Sequence, residues 1–318
     1  MPTASIETLI KRSLIITKIR RFLSKLSVLE VETPILNKYP ITDPNIVQFN
    51  TTYCSSNKKK KTNFWLNTSP EYHMKRLLAA GIGPIYQICH SFRNEEKGIF
   101  HNPEFTILEW YQPGYSMHDL IKEVTKLLKL IFKCKKVDVI SYQKIFLKYL
   151  KIDPLSISIK KLKNLVKELG ISNLVFLTKN FNNLLEVLFM EEIEPKIGKK
   201  NPICIYHFPS AQASLSEINP DDYRVSERFE FFFKGVEIGN GFYELKDVNE
   251  QKKRFLMDNK KRKELGLEEH PLDLDFLNSL DKGNFPKCSG IAIGIDRLVM
   301  LSLNLKEIRK AMSFSLDV

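Results

Sequence analysis

Ser91-Phe-Arg-Asn-Glu-Glu-Lys-Gly-Ile-Phe-His-Asn-Pro-Glu-Phe-Thr-Ile-Leu-Glu-Trp-Tyr111 is the stretch on which the rest of this sequence turns. It parses as a strand ending at Arg93, a charged loop, and a second strand that carries Glu109 and Tyr111. Strand alternation puts Gln87, Cys89, Ser91 and Arg93 on one face, and Tyr86, Ile88, His90 and Phe92 on the other. The second set is expected to face a core and the first to be the polar face. On the returning strand Phe105, Ile107, Glu109 and Tyr111 share a face. A guanidinium at a strand end can fork onto a phosphate oxygen and stabilise charge that develops there. A carboxylate beside a phenol can meet an ammonium by charge and hydrogen bond. Glu95 and His101 in the loop could address a triphosphate and an adenine amino group. A hairpin tip with solvated charges is the plainer alternative, and the density of ionisable types here weighs against it.

Two more clusters lie further along. In Glu227–Leu245, Lys234-Gly235 between apolar runs predicts a tight two-residue turn. Phe232 then faces Glu237, and Glu230 faces Gly239. Glu230 and Glu237 would sit diagonally on one face, near enough to share a cation. Magnesium suits such a pair, since it takes one or two carboxylates plus substrate phosphates. Gly239 and Gly241 leave room for a ligand or permit a bulge, and Glu244 reaches that face only with a bulge. Phe229, Phe231 and Phe233 are expected to bury the opposite face. In Gly290–Leu298 an apolar strand of small residues runs into a helix with Arg297 in its first turn. Gly294 would let a base or ribose approach the backbone, and Arg297 could hold a terminal phosphate. The glycine spacing matches neither a Walker loop nor a dinucleotide fingerprint.

A chain of 318 residues can bury a full core, and 43% hydrophobic with 27% charged residues is ordinary for a soluble globular protein. The net charge of +12 and pI near 9.3 favour an anionic partner such as ATP, RNA or an acidic protein. Part of it is compositional: Lys58–Lys61 form one run, and Lys, Asn and Ile are abundant throughout. Cys54, Cys89, Cys134, Cys204 and Cys288 are odd in number and never paired as C-x-x-C, which argues against a disulfide framework or zinc site. His73, His90, His118, His207 and His270 show no metal spacing. No signal peptide or bilayer-length apolar segment is present, so a cytoplasmic protein is expected.

Apolar positions at helical spacing predict a helix over residues 5–29, followed by an extended segment that Pro34 closes. Residues 36–62 read as loop. Phe64–Leu66 is a short strand, and Ser69-Pro70 opens a helix through Ala80. Residues 84–93 and 104–111 form a long hairpin, 118–196 are mostly helical, and strands resume near 203–208 and 228–245. A charged helix over 247–265, a strand over 290–295 and a helix from Asp296 complete an α+β class.

Val31-Glu-Thr-Pro34, the Phe92–Thr106 hairpin and Gly294-Ile-Asp-Arg297 together resemble motifs 1, 2 and 3 of class II aminoacyl-tRNA synthetases. The lysyl subgroup fits best, through Thr68-Ser-Pro-Glu71 and Glu237–Leu245, and the resemblance runs end to end. It implies an antiparallel sheet flanked by helices, one catalytic domain over 1–318 with a helical insertion at about 118–196, and a homodimer with Pro34 at its two-fold interface. Lysyl-tRNA synthetases carry an N-terminal anticodon-binding domain, whereas this sequence begins at the helix before motif 1. The expectation is therefore a stand-alone paralogue of the kind that attaches (R)-β-lysine to elongation factor P. Tyr206–Leu215, Asp222–Glu230 and Cys288-Ser-Gly290 support it. A truncated lysyl-tRNA synthetase charging tRNA with α-lysine, and a non-catalytic amino-acid-binding regulator, are the alternatives.

The resemblance implies ATP as co-substrate, Mg2+, and no stable tRNA binding. Arg93 would bind the α-phosphate and stabilise the transition state, with Asn94, Glu95, His101 and Asn102 completing the ATP cradle. Glu230 and Glu237 would hold magnesium. Ile238 and Gly294 would lie near the nucleotide, and Arg297 would hold the γ-phosphate. Ser69, Pro70 and Glu71 would surround the backbone-proximal amino group, and Glu109, Tyr111 and Glu244 would take the distal ammonium. Ala292 stands where lysyl-tRNA synthetases usually have glycine and would narrow the amino-acid pocket in favour of the β-isomer.

Overall fold

Helix α1 (Ile6–Lys25) starts where the Ser5 hydroxyl oxygen accepts the Thr8 N–H, and it buries Ile15, Ile19 and Leu23. A second apolar stripe on α1, Ile6, Ile10 and Leu14, is exposed. The computed structural model describes residues 1–54, 61–171, 180–281 and 284–316. Lys58–Lys60 of the lysine run and 172–179 of the expected insertion lie outside the described residues. Contacts group the chain into two units, Met1–Ser116 with Glu244–Val318, and Met117–Tyr243.

In the first unit α1 leads to β1 (Leu29–Glu30), which pairs in parallel with β5 (below). Residues 36–62, expected as loop, instead contribute to a small sheet of β2 (Leu36–Asn37), β3 (Asn50–Cys54) and β4 (Lys61–Leu66), in the order β2-β4-β3. Every residue of β3 is exposed, so no apolar alternation marked it as a strand. Helix α2 (Glu71–Ala79) begins one residue later than its start signal suggested. Pro70 is the cap residue, and the Ser69 hydroxyl accepts the Glu71 N–H at 3.1 Å.

The decisive hairpin is β5 (Ile85–Phe92) and β6 (Glu104–Pro113), in a register that sets Gln87 against Glu109 and Ser91 against Phe105. The polar set proves to be an enclosed face, and the other set departs from a core face at His90. Gln87 and Ser91 are buried, while His90 is exposed and meets Glu104 at 2.9 Å. On that enclosed face Gln87 stands opposite Glu109 and accepts the Thr33 hydroxyl at 2.9 Å.

The second unit runs α3 (Met117–Phe132), β7 (Asp138–Ser141), α4 (Tyr142–Leu150), α5 (Ile159–Glu168), α6 (Phe181–Leu188), β8 (Ile203–Tyr206), β9 (Arg228–Phe233) and β10 (Val236–Tyr243). Its strands lie in the order β10-β9-β8-β7, with β7 and β8 parallel and the others antiparallel. Lys234 and Gly235 both take positive φ, 54° and 75°, which is the two-residue turn expected. Glu237 faces Phe232 as predicted, but a bulge follows, so Glu230 faces Asn240 and not Gly239. Phe232 is buried in a helical core with Tyr142, Phe146 and Phe189, so both faces of β9 are covered.

The chain returns to the first unit with α7 (Val248–Glu264), capped by the Asp247 carboxylate, and α8 (Leu274–Asp281). Strand β11 (Cys288–Gly294) pairs antiparallel with β6 and feeds α9 (Ile295–Ser302). Asp296 is buried in the first turn of α9 and ties the unit together. One of its oxygens is 2.6 Å from Arg12 Nη1, and the other accepts the Thr106 N–H at 2.6 Å. Arg12 also donates to Thr106 Oγ1 and to the Ala311 carbonyl, so α1, β6 and the C-terminal segment share one guanidinium.

Removing one member of a buried ion pair strands the other charge out of water. Arg12→Met should therefore lower stability by about 3–5 kcal/mol. Urea denaturation checks this, and adding Asp296→Asn should recover part of the loss.

Candidate active site

Register decides which side chains meet in the first unit. Ile85, Gln87, Cys89 and Ser91 of β5 stand opposite Tyr111, Glu109, Ile107 and Phe105 of β6. On the other side of β6, Gly290, Ala292 and Gly294 of β11 stand opposite Tyr111, Glu109 and Ile107. Directly paired residues point to the same side, so all of these share one sheet face. Three small residues of β11 keep that face open. From Gly290 to Gly294 it extends roughly 13 Å at about 3.4 Å per residue.

At the Gly290 end the pocket is ionic. Glu109, Glu244 and Tyr111 are each about 2% exposed. The Tyr111 hydroxyl donates to Glu109 Oε1 at 2.5 Å, while Glu109 Oε2 is buried with no hydrogen-bond partner. Lys75, which no sequence motif had singled out, is fully buried beside them. Its Nζ lies 2.6 Å from Glu71 Oε1 and 2.7 Å from Glu244 Oε2. Its i, i+4 spacing from Glu71 on α2 was the available signal. Gly290 was undervalued too. A Cβ there would sit 2.3 Å from Tyr111 Cε1 and 2.5 Å from Glu244 Oε1, so only glycine lets these two side chains close over the strand. The Glu244 N–H donates to the Cys288 carbonyl at 2.9 Å, which fixes the segment that carries this carboxylate.

Burial dominates the proton affinities. It pushes Glu109 up to about 8, with the charge of Glu71 adding to the effect and the Tyr111 hydrogen bond opposing it. Burial likewise lifts Glu244 to about 7, against the pull of Lys75. Burial acts to lower Lys75, but Glu244 and Glu71 outweigh it and leave the ammonium firmly protonated. An additional cation entering this pocket would favour the ionised carboxylates.

At the Gly294 end stand two guanidinium groups, Arg93 and Arg297. Arg297 Nη2 lies 2.6 Å from His101 Nε2, and Arg297 Nε donates to the Phe100 carbonyl at 3.1 Å. Arg93 lies over the Phe105 ring at 5.3 Å, with its Nε buried and lacking a hydrogen-bond partner. Glu96 approaches it only to 3.6 Å. Glu95 is exposed with φ 67°, its N–H held by the Asn94 side chain. Asn94 is fixed in turn by its N–H to the Val47 carbonyl. Asn102 differs from its neighbours: its amide donates to the Glu104 carbonyl and accepts the Leu316 N–H, so it braces the loop. A Cβ at Gly294 would meet only Arg297 carbons at 3.8–3.9 Å, so there is room above it.

Glu230 and Glu237 belong to the second unit. Glu237 pairs with Phe232, two residues from Glu230, so the two carboxylates share a face. Burial raises Glu230 to about 7, with Arg228 pulling it down and Glu237 pushing it up. Arg228 Nη2 holds Glu230 Oε1, and Nη1 donates to the Gln212 carbonyl. Ile238 is the buried residue at the bulge. After the bulge Asn240 and Phe242 take the Glu237 face. Two hard oxygen donors on adjacent strands, short of a full cage, fit a magnesium ion completed by phosphate oxygens.

The raised Glu109 value has a consequence for stability. Between 4.5 and about 8 the native state keeps a proton that the unfolded chain has released. That contribution is full below 4.5 and lost as pH rises through 8. Thermal denaturation should show the ligand-free protein losing stability from about pH 4.5 to about pH 8, with Glu109→Gln flattening the slope.

No helix among the described residues is long and apolar enough to cross a membrane. The family model described as tRNA synthetases class II (D, K and N) matches residues 3–317. A protein of Buchnera aphidicola subsp. Acyrthosiphon pisum (strain APS), named elongation factor P--(R)-beta-lysine ligase, is 55% identical over 315 residues, covering 99% of this chain and 97% of its own. One of the same name from Buchnera aphidicola subsp. Schizaphis graminum (strain Sg) is 53% identical over 317 residues, covering 99% and 98%. With the α+β fold and a match across nearly its whole length, the chain belongs to the class II tRNA synthetase family of the D, K and N type.

Proposed function

We propose that this chain activates (R)-β-lysine with ATP and transfers it to a lysine side chain of elongation factor P. The observation that carries this is the set of buried Glu109, Tyr111 and Glu244 with half-buried Glu71 at one end of a sheet face whose other end presents Arg93, His101 and Arg297. Names borne by relatives that align over almost all of both chains support the same acceptor and amino acid. With ATP and a translation factor as substrates, the cytoplasm is the compartment proposed. One catalytic domain over 1–318, with a helical insertion at about 118–196, belongs to the same proposal.

Ser69 and Pro70 set the start of α2, which presents Glu71 to the amino group nearest the substrate carboxylate. Glu109, Tyr111 and Glu244 take the distal ammonium. Ala292, opposite Glu109 and between the two glycines, adds a methyl to the floor of the pocket. The substrate carboxylate attacks the α-phosphorus in line and pyrophosphate departs, leaving an acyl adenylate. An acceptor amine then attacks the acyl carbon, an amide forms, and AMP and a proton are released. Arg93 stabilises the charge that develops on the α-phosphate, and its unpartnered Nε is a donor ready for such an oxygen. Arg297, with His101 and Asn102 shaping its loop, holds the γ-phosphate. Asn94 and Glu95 address the nucleotide, as do the backbone at Ile238 and the room above Gly294. Glu230 and Glu237 would hold Mg2+, which would neutralise phosphate charge when bound. The rest of the rate comes from positioning.

The exposed α1 stripe of Ile6, Ile10 and Leu14, with Leu29, Ile35 and Leu36 near Pro34, suits a homodimer interface. Sedimentation velocity should give a dimer, and Ile10→Glu with Leu14→Glu a monomer.

ATP–pyrophosphate exchange with (R)-β-lysine and α-lysine, followed by labelling of elongation factor P or tRNA, tests the proposal. The expected result is preferred exchange with the β-isomer, label on elongation factor P, and a loss of about 100- to 1000-fold in Arg93→Lys. Label on tRNA and not on the protein would overturn it, as would exchange with no lysine isomer.

A further inference from the structure

Lys75 has no part in the roles above, although its ammonium lies among the carboxylates assigned to the substrate. Helix α2 sets Glu71 and Lys75 one turn apart, and Nζ reaches 2.6 Å from Glu71 and 2.7 Å from Glu244, a residue remote in sequence. The Lys75 side chain is fully buried, as is that of Glu244, while Glu71 is half-buried. Glu109 faces the same cluster from β6 with one oxygen unpartnered. Three carboxylates set against one ammonium leave a net charge of −2 when all are ionised. A diamino acid brings two ammonium groups, and its own carboxylate is masked as a mixed anhydride once the adenylate forms. The pocket with Lys75 in place therefore balances two substrate cations. Without Lys75, three carboxylates in a dry site could not all stay ionised, since like charges at close range raise one another's proton affinity.

We propose that Lys75 is a positioning residue for the diamino substrate: its ammonium bridges Glu71 and Glu244, favours the carboxylate form of Glu244, and fixes their separation. This rests on the adenylation reading above. Lys75 acts through the carboxylates, and the substrate's two ammonium groups complete the charge count. The ionisable groups packed around the cluster are Glu71 on α2, Glu109 and Tyr111 on β6, Glu244 after β10, Cys89 on β5 and Cys288 on β11. Burial raises both thiols, so they add no charge near neutrality. The rise of Glu109 and Glu244 above the ordinary carboxylate range shows how little further loss of positive charge the pocket tolerates.

Lys75→Met keeps most of the side-chain volume and removes the charge, while Lys75→Arg keeps the charge. The measurement is the pH dependence of KM for (R)-β-lysine in pyrophosphate exchange, with thermal unfolding as the folding control. In Lys75→Met, KM at pH 7 should rise by at least about tenfold, the effect of one pKa unit, and should approach the wild-type value by about pH 9 as the carboxylates ionise. Turnover should change less than KM, and Lys75→Arg should keep the wild-type profile. A folded Lys75→Met enzyme with the wild-type KM and pH profile overturns the assignment. So does a Lys75→Met defect that is the same at every pH, because a merely structural ion pair would give that result. If Lys75→Met does not fold, Lys75→Arg decides: a retained profile supports the charge role, and a shifted one overturns it. A wild-type enzyme that exchanges with no lysine isomer would overturn the adenylation reading instead. Calorimetric titration with 1,5-diaminopentane then decides on Lys75, with pH-dependent weakening in Lys75→Met supporting the role and equal affinity overturning it.

Discussion

The contact between the fully buried Lys75 ammonium and the carboxylates of Glu71 and Glu244 is the constraint from which the ionic end of the sheet face follows. Buried charges are tolerated only when paired and closely packed. To bring Glu244 over the sheet, β11 must offer no side chain at Gly290, where a Cβ would overlap both Tyr111 and Glu244. To bring Glu71 and Lys75 to the same point, α2 must start at Glu71, and the Ser69 hydroxyl secures that start. The small residues of β11, the cap of α2 and the backbone bond from Glu244 to Cys288 all meet the same electrostatic requirement. One buried carboxylate oxygen of Glu109 has no hydrogen-bond partner, which suits the cationic substrate proposed above.

The phosphate end depends on a different buried charge. Asp296 precedes Arg297, and its pairing with Arg12 and the Thr106 backbone anchors the first turn of α9. Arg297 is thereby aimed toward His101 and the loop between β5 and β6. The acid and the base at this junction thus divide the work, one fixing the helix and the other facing His101, where the proposed function puts the γ-phosphate. Neighbouring positions in one sequence motif serve stability and chemistry separately, and a substitution at Asp296 would disturb activity only through placement.

Much of this was readable before any coordinates. The hairpin, the Lys234-Gly235 turn and the strand-to-helix junction at Gly294 follow from periodicity and turn chemistry. What escaped did so for physical reasons. Strand β3 is exposed on both sides, so its Thr and Asn residues carry no apolar alternation. The bulge in β10 was foreseen only as a possibility of its glycines, and it moved the partner of Glu230 from Gly239 to Asn240. The face of β5 with Gln87 and Ser91 was read as polar without its burial, which follows from packing that a strand's own alternation does not reveal. Lys75 was passed over because lysines abound in this chain and their default setting is water. A lysine one turn after a motif glutamate, flanked by Met74 and Leu78, was the clue that composition obscured.

Proton release on substrate binding tests the central claim, that a dry carboxylate pocket reads a diamino acid by charge, most directly. Titration calorimetry of the ligand-free protein with (R)-β-lysine at pH 7, repeated in buffers of different ionisation enthalpy, gives the number of protons exchanged. The account predicts net release, because entering ammonium groups favour the ionised forms of Glu109 and Glu244, which burial holds near 8 and 7. Binding with no net proton release, or equally tight binding of an uncharged side-chain analogue such as β-norleucine, would contradict it.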